Sequence, residues 1–590
     1  MSQMSRREFA YMMALLGAAP LFANSHTRIS PNGELKDYYK LKPFGNARIL
    51  HMTDSHAQLV PVYFREPSVN IGLFENYGKP PHIVGEKFLE YFGIKGNKRL
   101  EYALTCVNFD KNAKAMGRVG GFAHIKTVTD FLRDSFGKDK TLFLDGGDTW
   151  QGSWTSLQTR GKDMVGALNL LGVDVCTGHW EFTYTEKEIL ENLKMLKAEF
   201  VAQNVKVKED SMMEDKFTPY DEDEGYAFKP YTIKKMGKAR VAIIGQAFPY
   251  TTIANPQRFI PDLTFGIDAD GMQELVNRVR KEEKPDAVIV ISHNGYDVDK
   301  KMAQVVSGID FIMGGHTHDG VPEAYPVKNS SGVTYVCNAG SNGKFINVLD
   351  LDIQNGKVKD FKFTLLPIFS DLIPEDKAMK EYIAKVRKPF EAELNRKIAT
   401  TELTLFRRGN FNGSWDQIIC DALREVKGAE ISLSPGFRWG TTVIPGQDIT
   451  FDDLATQTAM TYPETYVKEM DGKTIKMILE DVADNLFNKD PFYQQGGDMV
   501  RTGGISYTID PTKSIGNRIS NITLLNGKKL EANKKYKVAG WATVGSKSPG
   551  EPIWETVENY LKNHQAIGKN LKVDTPEIVG VKGNPGITSC

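Results

Sequence analysis

Neither sign of charge is in excess in this 590-residue sequence. Its 74 Lys and Arg stand against 74 Asp and Glu, so no general attraction draws the chain to nucleic acid or to an anionic membrane surface. Cysteine is scarce. Cys106, Cys176, Cys337, Cys420 and Cys590 show none of the short paired spacings of a zinc or redox motif. Their odd number leaves at least one unpaired, and Cys590 reads as an incidental tail residue. Beyond the N-terminal segment no stretch has the length and apolar continuity to span a bilayer. No internal repeat or low-complexity tract marks a fibrous or disordered chain. What is present is the 41% hydrophobic and 25% charged content of a globular protein, at a length that exceeds a single module and fits two or three large domains.

The front end has an address. Ser5-Arg6-Arg7-Glu8-Phe9 precedes an uncharged, mostly apolar stretch to Ala23 that is too short and too rich in Gly and Pro for a comfortable membrane anchor. Paired arginines ahead of a moderately hydrophobic run resemble a twin-arginine export signal. Residues 1–23 are therefore expected to be removed, leaving a periplasmic protein without an anchor.

Short apolar runs then recur at 48–50, 141–144, 173–176, 241–244, 287–291 and 311–313, each reading as a buried strand. Helix-like segments at 123–136 and 186–200 alternate with them, the pattern of a layered α/β domain, expected over 46–350. A linker follows at 351–398. Its charged stretch 374–398 favours helix, with Pro389 expected to break or kink it. Residues 399–590 are rich in Gly and turn signals, with strands expected at 431–433 and 536–539, and form an α+β C-terminal domain expected to bind substrate.

Chemistry concentrates just after the early strands. Asp54 and His56 follow the first, Asp148 follows in Gly-Gly-Asp, then come His179 in Gly-His-Trp-Glu, His293 in Ser-His-Asn, and His316 with His318 in Gly-His-Thr-His. Carboxyl ends of strands in layered α/β sheets open on one edge, so all seven residues converge on one crevice. Imidazole and carboxylate together suit borderline divalent ions. Seven ligands exceed the need of one ion, so two ions sharing Asp148 is the economical solution. His51 lies within a strand and reads as a core or supporting residue, while His26, His82, His124 and His564 have no strand-end context.

In order and spacing these motifs resemble the calcineurin-like metallophosphoesterases, and the two-domain layout resembles the 5′-nucleotidase family. Asp54-Ser55-His56-Ala57-Gln58-Leu59 with Val62 to Pro67, Gly147 to Gly152, Gly178 to Thr183 and Gly496 to Arg501 are similar to the SoxB-type sulfate thiohydrolases of thiosulfate oxidation, and the likeness covers the whole chain. It implies a layered αββα metallophosphoesterase domain joined by a helical linker to a 5′-nucleotidase-like C-terminal domain. One metal is implied on Asp54, His56, Asp148 and His318, the other on Asp148, His179, His293 and His316. Manganese is the implied ion, although ligand chemistry also admits zinc and iron. The implied substrate is a cysteine-S-thiosulfonate on the arm of the SoxYZ carrier protein, hydrolysed to sulfate by hydroxide activated at the two metals.

One departure from the wider nucleotidases is informative. Trp180 stands where those phosphatases carry a histidine, and an indole cannot act as a general acid. A persulfide needs less protonation than an alkoxide to depart, so Trp180 fits a sulfur leaving group, with simple packing at the rim as its other reading. Arg438, in Ser434 to Gly440, is the first choice for a cation that grips tetrahedral oxygens, and Arg501 the second. Phe492 and Tyr493 are aromatic residues placed to line the same cleft or to join a core. Two other functions remain open: a periplasmic 5′-nucleotidase or related phosphoesterase, which would carry a base-stacking slot, and a non-catalytic metal- or carrier-binding protein.

Overall fold

The computed structural model describes residues 39–590; the expected signal at 1–23 and His26 lie outside them. Two six-stranded sheets form the N-terminal domain. In the first, strands Ala47–Met52, Thr141–Asp145, Val175–Cys176 and Glu199–Phe200 run parallel, and the hairpin of Phe345–Gln354 and Lys357–Pro367 adds two antiparallel strands at the other edge. In the second, Ala239–Gln246, Ala287–Ser292, Phe311–Gly314 and Gly332–Asn338 run parallel, flanked by Tyr231–Met236 and Tyr325–Asn329.

The sequence dictates this layering. Ala47–Met52 and Ala287–Ser292 are buried at every residue, as strands covered on both faces must be. Ala47, Ile49, Leu142 and Leu144 face Ile243, Ile289, Ile291 and Met313 between the sheets. Leu50, Met52 and Phe143 turn outward against helices Phe122–Phe136 and Lys162–Leu171. Val288, Val290 and Ile312 turn outward on the other side against Ala269–Glu282 and Tyr296–Val305. The result is a four-layer αββα domain.

Two expectations need correction. Strand Phe345–Gln354 runs through the anticipated boundary at 350 and pairs with Ala47–Met52, so residues 351–367 belong to the first sheet and not to a linker. The helix expected to 200 stops at Met195, and Glu199–Phe200 is an edge strand. The connecting helix is interrupted as Pro389 requires: Lys377–Arg387 ends in a tight turn, Lys388–Phe390, before the short Glu391–Leu394.

Beyond it lie a four-stranded sheet of Thr465–Asp471, Lys535–Trp541, Ile431–Ser434 and Arg501–Gly503, and two three-stranded sheets. Helices Ser414–Lys427, Gly472–Phe487 and Ile553–Asn563 complete the domain. Trp154 and Trp180 of the first domain share an apolar cluster with Trp415, Trp439 and Trp541 of the second, so the cleft between domains has a hydrophobic floor. Among the described residues no helix is long and apolar enough to cross a membrane.

The C-terminus is no free tail. Residues 584–588 return to the N-terminal domain, where Asn70 and Val84 donate backbone N–H groups to Gly586 and Pro585, and Thr588 donates to Ser68. A disulfide joins Cys106 to Cys590 with Cα atoms 5.6 Å apart, while Cys176, Cys337 and Cys420 are buried and free. This closure spans 484 residues of sequence and restricts the unfolded chain. Cys590→Ser is expected to lower stability by about 2–4 kcal/mol, read as a lower denaturant midpoint under oxidising conditions only. Equal midpoints for the two proteins would show that the closure contributes nothing.

Candidate active site

Five of the seven sequence-selected residues sit in abrupt turns just beyond their strands. Asp54, His56, Asp148, His316 and His318 all have positive φ, between 46° and 72°, a conformation costly for residues with a side chain and one that concentrates where surrounding structure holds a site in place. These turns aim the side chains inward. Two groups of four result, Asp54, His56, Asp148 and His318, and Asp148, His179, His293 and His316, with ligand atoms in each group lying within 4.8 Å of one another and every residue buried. Asp148 is common to both. Its Oδ2 lies 3.0 Å from His293 Nε2 and 3.5 Å from His56 Nε2, while Oδ1 is 3.3 Å from His179 Nδ1. Asp54 Oδ1 is 3.2 Å from His318 Nε2 and 3.6 Å from His293 Nε2.

Neighbouring groups fix the ring orientations. His293 Nδ1 bonds Gly146 O at 2.7 Å and His56 Nδ1 bonds Gln151 O at 3.2 Å, which directs each Nε2 to the cluster in the manner of metal-binding histidines. Glu181, in the turn after His179, accepts from the backbone N–H groups of Asp148, Thr149 and His179 and so ties two ligand loops together. Trp180 N donates to Asp148 Oδ1 at 2.8 Å, and His316 N donates to Asp54 Oδ1 at 2.9 Å.

The electrostatics favour cations. Burial raises the Asp54 carboxyl. Burial opposes ionisation of Asp148 too, but His293 and His179 outweigh it and hold that carboxyl well below its usual range. Burial lowers His56 to about 4 and depresses His179, His316 and His318, keeping them in the neutral form that ligates metals. At His293 burial also acts downward, yet Asp148 and Asp54 lift the imidazole to about 10. Five nitrogens on these rings, both of His179 and one each of His293, His316 and His318, are buried without a hydrogen bond. Two carboxylates and five histidines, four of them with unpartnered ring nitrogens, therefore fit a pair of divalent ions.

The cleft over the cluster, about 240 Å³, is lined by Trp180, Phe248, Phe437, Arg438 and Trp439 beside Asp148, His179, His316 and His318. Arg438 is 12% exposed. Its Nη2 donates to Gly497 O at 2.6 Å and its Nε lies 3.7 Å from Asp498 Oδ1, which fixes the guanidinium at the cleft wall. Trp180 packs edge-on against Phe437 and Trp439.

Arg501 differs from its expected role as a second clamp. It is fully buried between Asp416 and Asp498, each at 3.3 Å, and donates to Gly409 O; it steadies the carboxylate that steadies Arg438 and lines no part of the cleft. Phe492 packs against the outer helical layer and Tyr493 is 62% exposed, so neither belongs to the cleft wall. Sequence reasoning missed Phe248, which stacks on His316 with centroids 4.2 Å apart, and Trp439, which stacks on His56 at 5.3 Å. His51 is a core residue bonded to Asn347, and His82, His124 and His564 pair with Asp297, Ile373 O and Glu425.

Residues 397–557 match the sequence family described as 5′-nucleotidase, C-terminal domain. The whole chain is similar to the sulfate thiohydrolase SoxB of Thermus thermophilus, solved in complex with glycerol, at 32% identity and a TM-score of 0.84, covering 92% of this chain and 98% of that one. The chain belongs to the 5′-nucleotidase superfamily. Its fold is shared with a 5′-nucleotidase precursor, also from Thermus thermophilus, at 21% identity, a TM-score of 0.70 and coverage of 90% and 99%. Protein UshA of Yersinia enterocolitica is 24% identical over 499 residues, 75% of this chain and 84% of that protein. The trifunctional nucleotide phosphoesterase YfkN of Bacillus subtilis is 27% identical over 455 residues, and the match covers 70% of this chain but only 30% of that protein. The two ligand groups thus sit in the metallophosphoesterase half of a superfamily of hydrolases, beneath its C-terminal domain.

Two expectations follow from this geometry. A divalent metal must displace the proton that Asp148 and Asp54 hold on His293, so its affinity should rise with pH up to about 10, with proton release on binding; calorimetry in buffers of different ionisation enthalpy would detect it, and pH-independent binding would contradict it. The two arginines should also separate. Arg438→Met should cut kcat by roughly 10²–10³-fold with little change in stability, whereas Arg501→Met should destabilise the fold by about 3–5 kcal/mol through unpaired buried carboxylates.

Proposed function

We propose that the protein is a SoxB-type sulfate thiohydrolase that releases sulfate from a cysteine-S-thiosulfonate on the SoxYZ carrier. The observation that carries this reading is the want of a proton donor in the cleft. Among the described residues lining it, apart from the metal-ligand cluster, Tyr250 donates to Phe492 O, Tyr462 to Ala254 O and Arg438 to Gly497 O, while the one carboxyl, Asp498, is held between Arg438 and Arg501 and accepts from Asn410. Trp180 occupies the place beside Asp148 with an indole. A leaving group that departs from this site must carry its own negative charge, as a persulfide does more readily than an alkoxide.

Shape agrees with the chemistry. Phe437 and Trp439 stack on each other with centroids 4.1 Å apart, leaving no slot between them for a nucleobase. A cleft of about 240 Å³ is smaller than the roughly 300–1,000 Å³ of small-molecule pockets and suits the narrow end of an extended polypeptide arm.

Asp54, His56, Asp148 and His318 would hold one divalent ion, and Asp148, His179, His293 and His316 the other, with manganese our proposed metal. When bound, the ions supply the Lewis acidity that makes water nucleophilic at neutral pH. Arg438 holds the sulfone oxygens and balances the charge that gathers on them. Trp180, Phe437 and Trp439 exclude bulk water from the scissile bond. As water oxygen joins the terminal sulfur, the bond to the adjoining sulfur breaks, its electron pair stays with the carrier persulfide, and sulfate is released. The Cys106–Cys590 disulfide supports export to an oxidising periplasm, by way of the twin-arginine segment read in the sequence.

The nucleotidase reading draws on UshA and the C-terminal family match, and one assay separates the two. Manganese-loaded enzyme is given the thiosulfonate-bearing carrier and, separately, AMP; sulfate and phosphate are measured by ion chromatography. Sulfate without phosphate is expected. Phosphate without sulfate would return the chain to the nucleotidases. His179→Ala should abolish turnover while carrier association persists.

A further inference from the structure

The candidate ligands are not all seated by the domain that carries them. His56 and His293 each rest one ring nitrogen on a carbonyl of their own domain, Gln151 O and Gly146 O. His316 Nε2, by contrast, is buried without a hydrogen bond, and what stands at that end of the ring is Gly496 of the second domain. A Cβ added to Gly496 would overlap Nε2 and lie 2.8 and 2.9 Å from the two carbons beside it. These nearly equal distances put Gly496 in line with the nitrogen, where only a residue without a side chain fits.

Gly496 lies in a loop, residues 488–498, that is pinned from both sides. On the first domain Lys301 pairs with Asp490 and stands 4.1 Å over the Phe492 ring, and Tyr250 donates to Phe492 O. On the second, Asp498 N donates to Gly436 O and Arg438 Nη2 to Gly497 O. Arg438 Nη1 also donates to His316 O at 3.4 Å, so the backbone and the ring of this histidine both meet the second domain. His316 belongs to one candidate ion group, with Asp148, His179 and His293. The group of Asp54, His56, Asp148 and His318 does not contain it. There the second domain lays Trp439 on the face of His56 and leaves the ring nitrogens to Gln151 O and the cluster.

We propose that Gly496 is a positioning residue for one ion of the pair. By offering bare backbone to the end of His316, the docked loop keeps this ring in place, and the group of Asp148, His179, His293 and His316 takes its ion only while the loop is seated. The other group fills without it. Whichever ring nitrogen of His316 meets the ion, a side chain at position 496 interferes, because it either occupies the place of the ion or pushes the ring away from Asp148. The inference rests on the two-ion reading of the cluster and is the same for a thiohydrolase and for a nucleotidase.

The test is titration of the metal-free, full-length protein with manganese(II), followed by calorimetry and by electron paramagnetic resonance, in which two ions sharing Asp148 are magnetically coupled and a lone ion is not. Gly496 and Gly497 both have a φ of 75°, so alanine strains the backbone alike at either position. A Cβ on Gly497, however, meets nothing nearer than Gly436 O at 3.9 Å. Wild type and Gly497→Ala are expected to take two coupled ions. Gly496→Ala should keep one, with the uncoupled spectrum, and bind the second at least about tenfold more weakly, as loss of support around a metal ligand does. Added to His179→Ala, which strikes the same group, it should remove no further ion. If Gly496→Ala does not fold, Lys301→Met decides: it frees the loop from the first domain without touching the cluster, and should weaken the second ion about threefold, the scale of a partly exposed ion pair. Two full ions in Gly496→Ala, the same loss in Gly497→Ala, or, where it decides, Lys301→Met binding as wild type does, would overturn the proposal. A wild type that takes fewer than two ions would overturn it together with the two-ion reading. Failure of the thiohydrolase reading is seen separately, as no sulfate release from the carrier, and leaves the metal titration intact.

Discussion

Two carboxylates, Asp54 and Asp148, are shut away from water within reach of the same histidine, and the rest of the structure is arranged around keeping them there. Buried charge of one sign is expensive unless it meets the opposite sign at close range. His293 answers part of it by taking a proton. Four further histidines, held neutral by burial, supply ligands in place of charge. Such a cluster attracts cations, and it lies where the ends of distant strands in a parallel sheet can deliver so many side chains together.

The second domain completes what the first begins. Trp439 lies on His56, and Gly496 closes on His316 so tightly that a methyl group added there would land on its Nε2. Arg438 hangs from the same loop through Gly497 and Asp498. The Asp and His cluster and Arg438 therefore keep their spacing only while the domains are held together, and the shared tryptophan cluster and the C-terminal return to residues 68–84 hold them. The aromatic walls remove water, and with it the usual external source of protons.

Much of this was legible in the sequence because it rests on local patterns. Strands buried on both faces must be continuously apolar, which made 287–291 and 311–313 readable. Histidines and aspartates placed just after such runs share one edge, which brings the seven candidate ligands together. Partnership was harder to read. Arg438 and Arg501 look alike in glycine-rich loops, and only the neighbours Asp416 and Asp498 reveal that one faces the cleft while the other braces it. Phe248 and Trp439 carry no motif, since stacking on a ligand ring depends on domain docking. The hairpin at 345–367 was cut by the expected boundary because charged residues on its outer strand resemble a linker, and the Cys106–Cys590 pair spans too much sequence for spacing to suggest it.

The central claim is that the site activates its nucleophile but offers the leaving group no proton. The direct test is the dependence of kcat/KM on leaving-group basicity, measured for the metal-loaded enzyme across a graded series of synthetic thiosulfonates and aryl phosphates. Without a general acid the rate should fall steeply as the leaving group becomes more basic, and alkyl esters should be nearly inert. A shallow dependence, with alkyl and aryl esters cleaved at similar rates, would reveal a proton donor in the cleft and contradict the account.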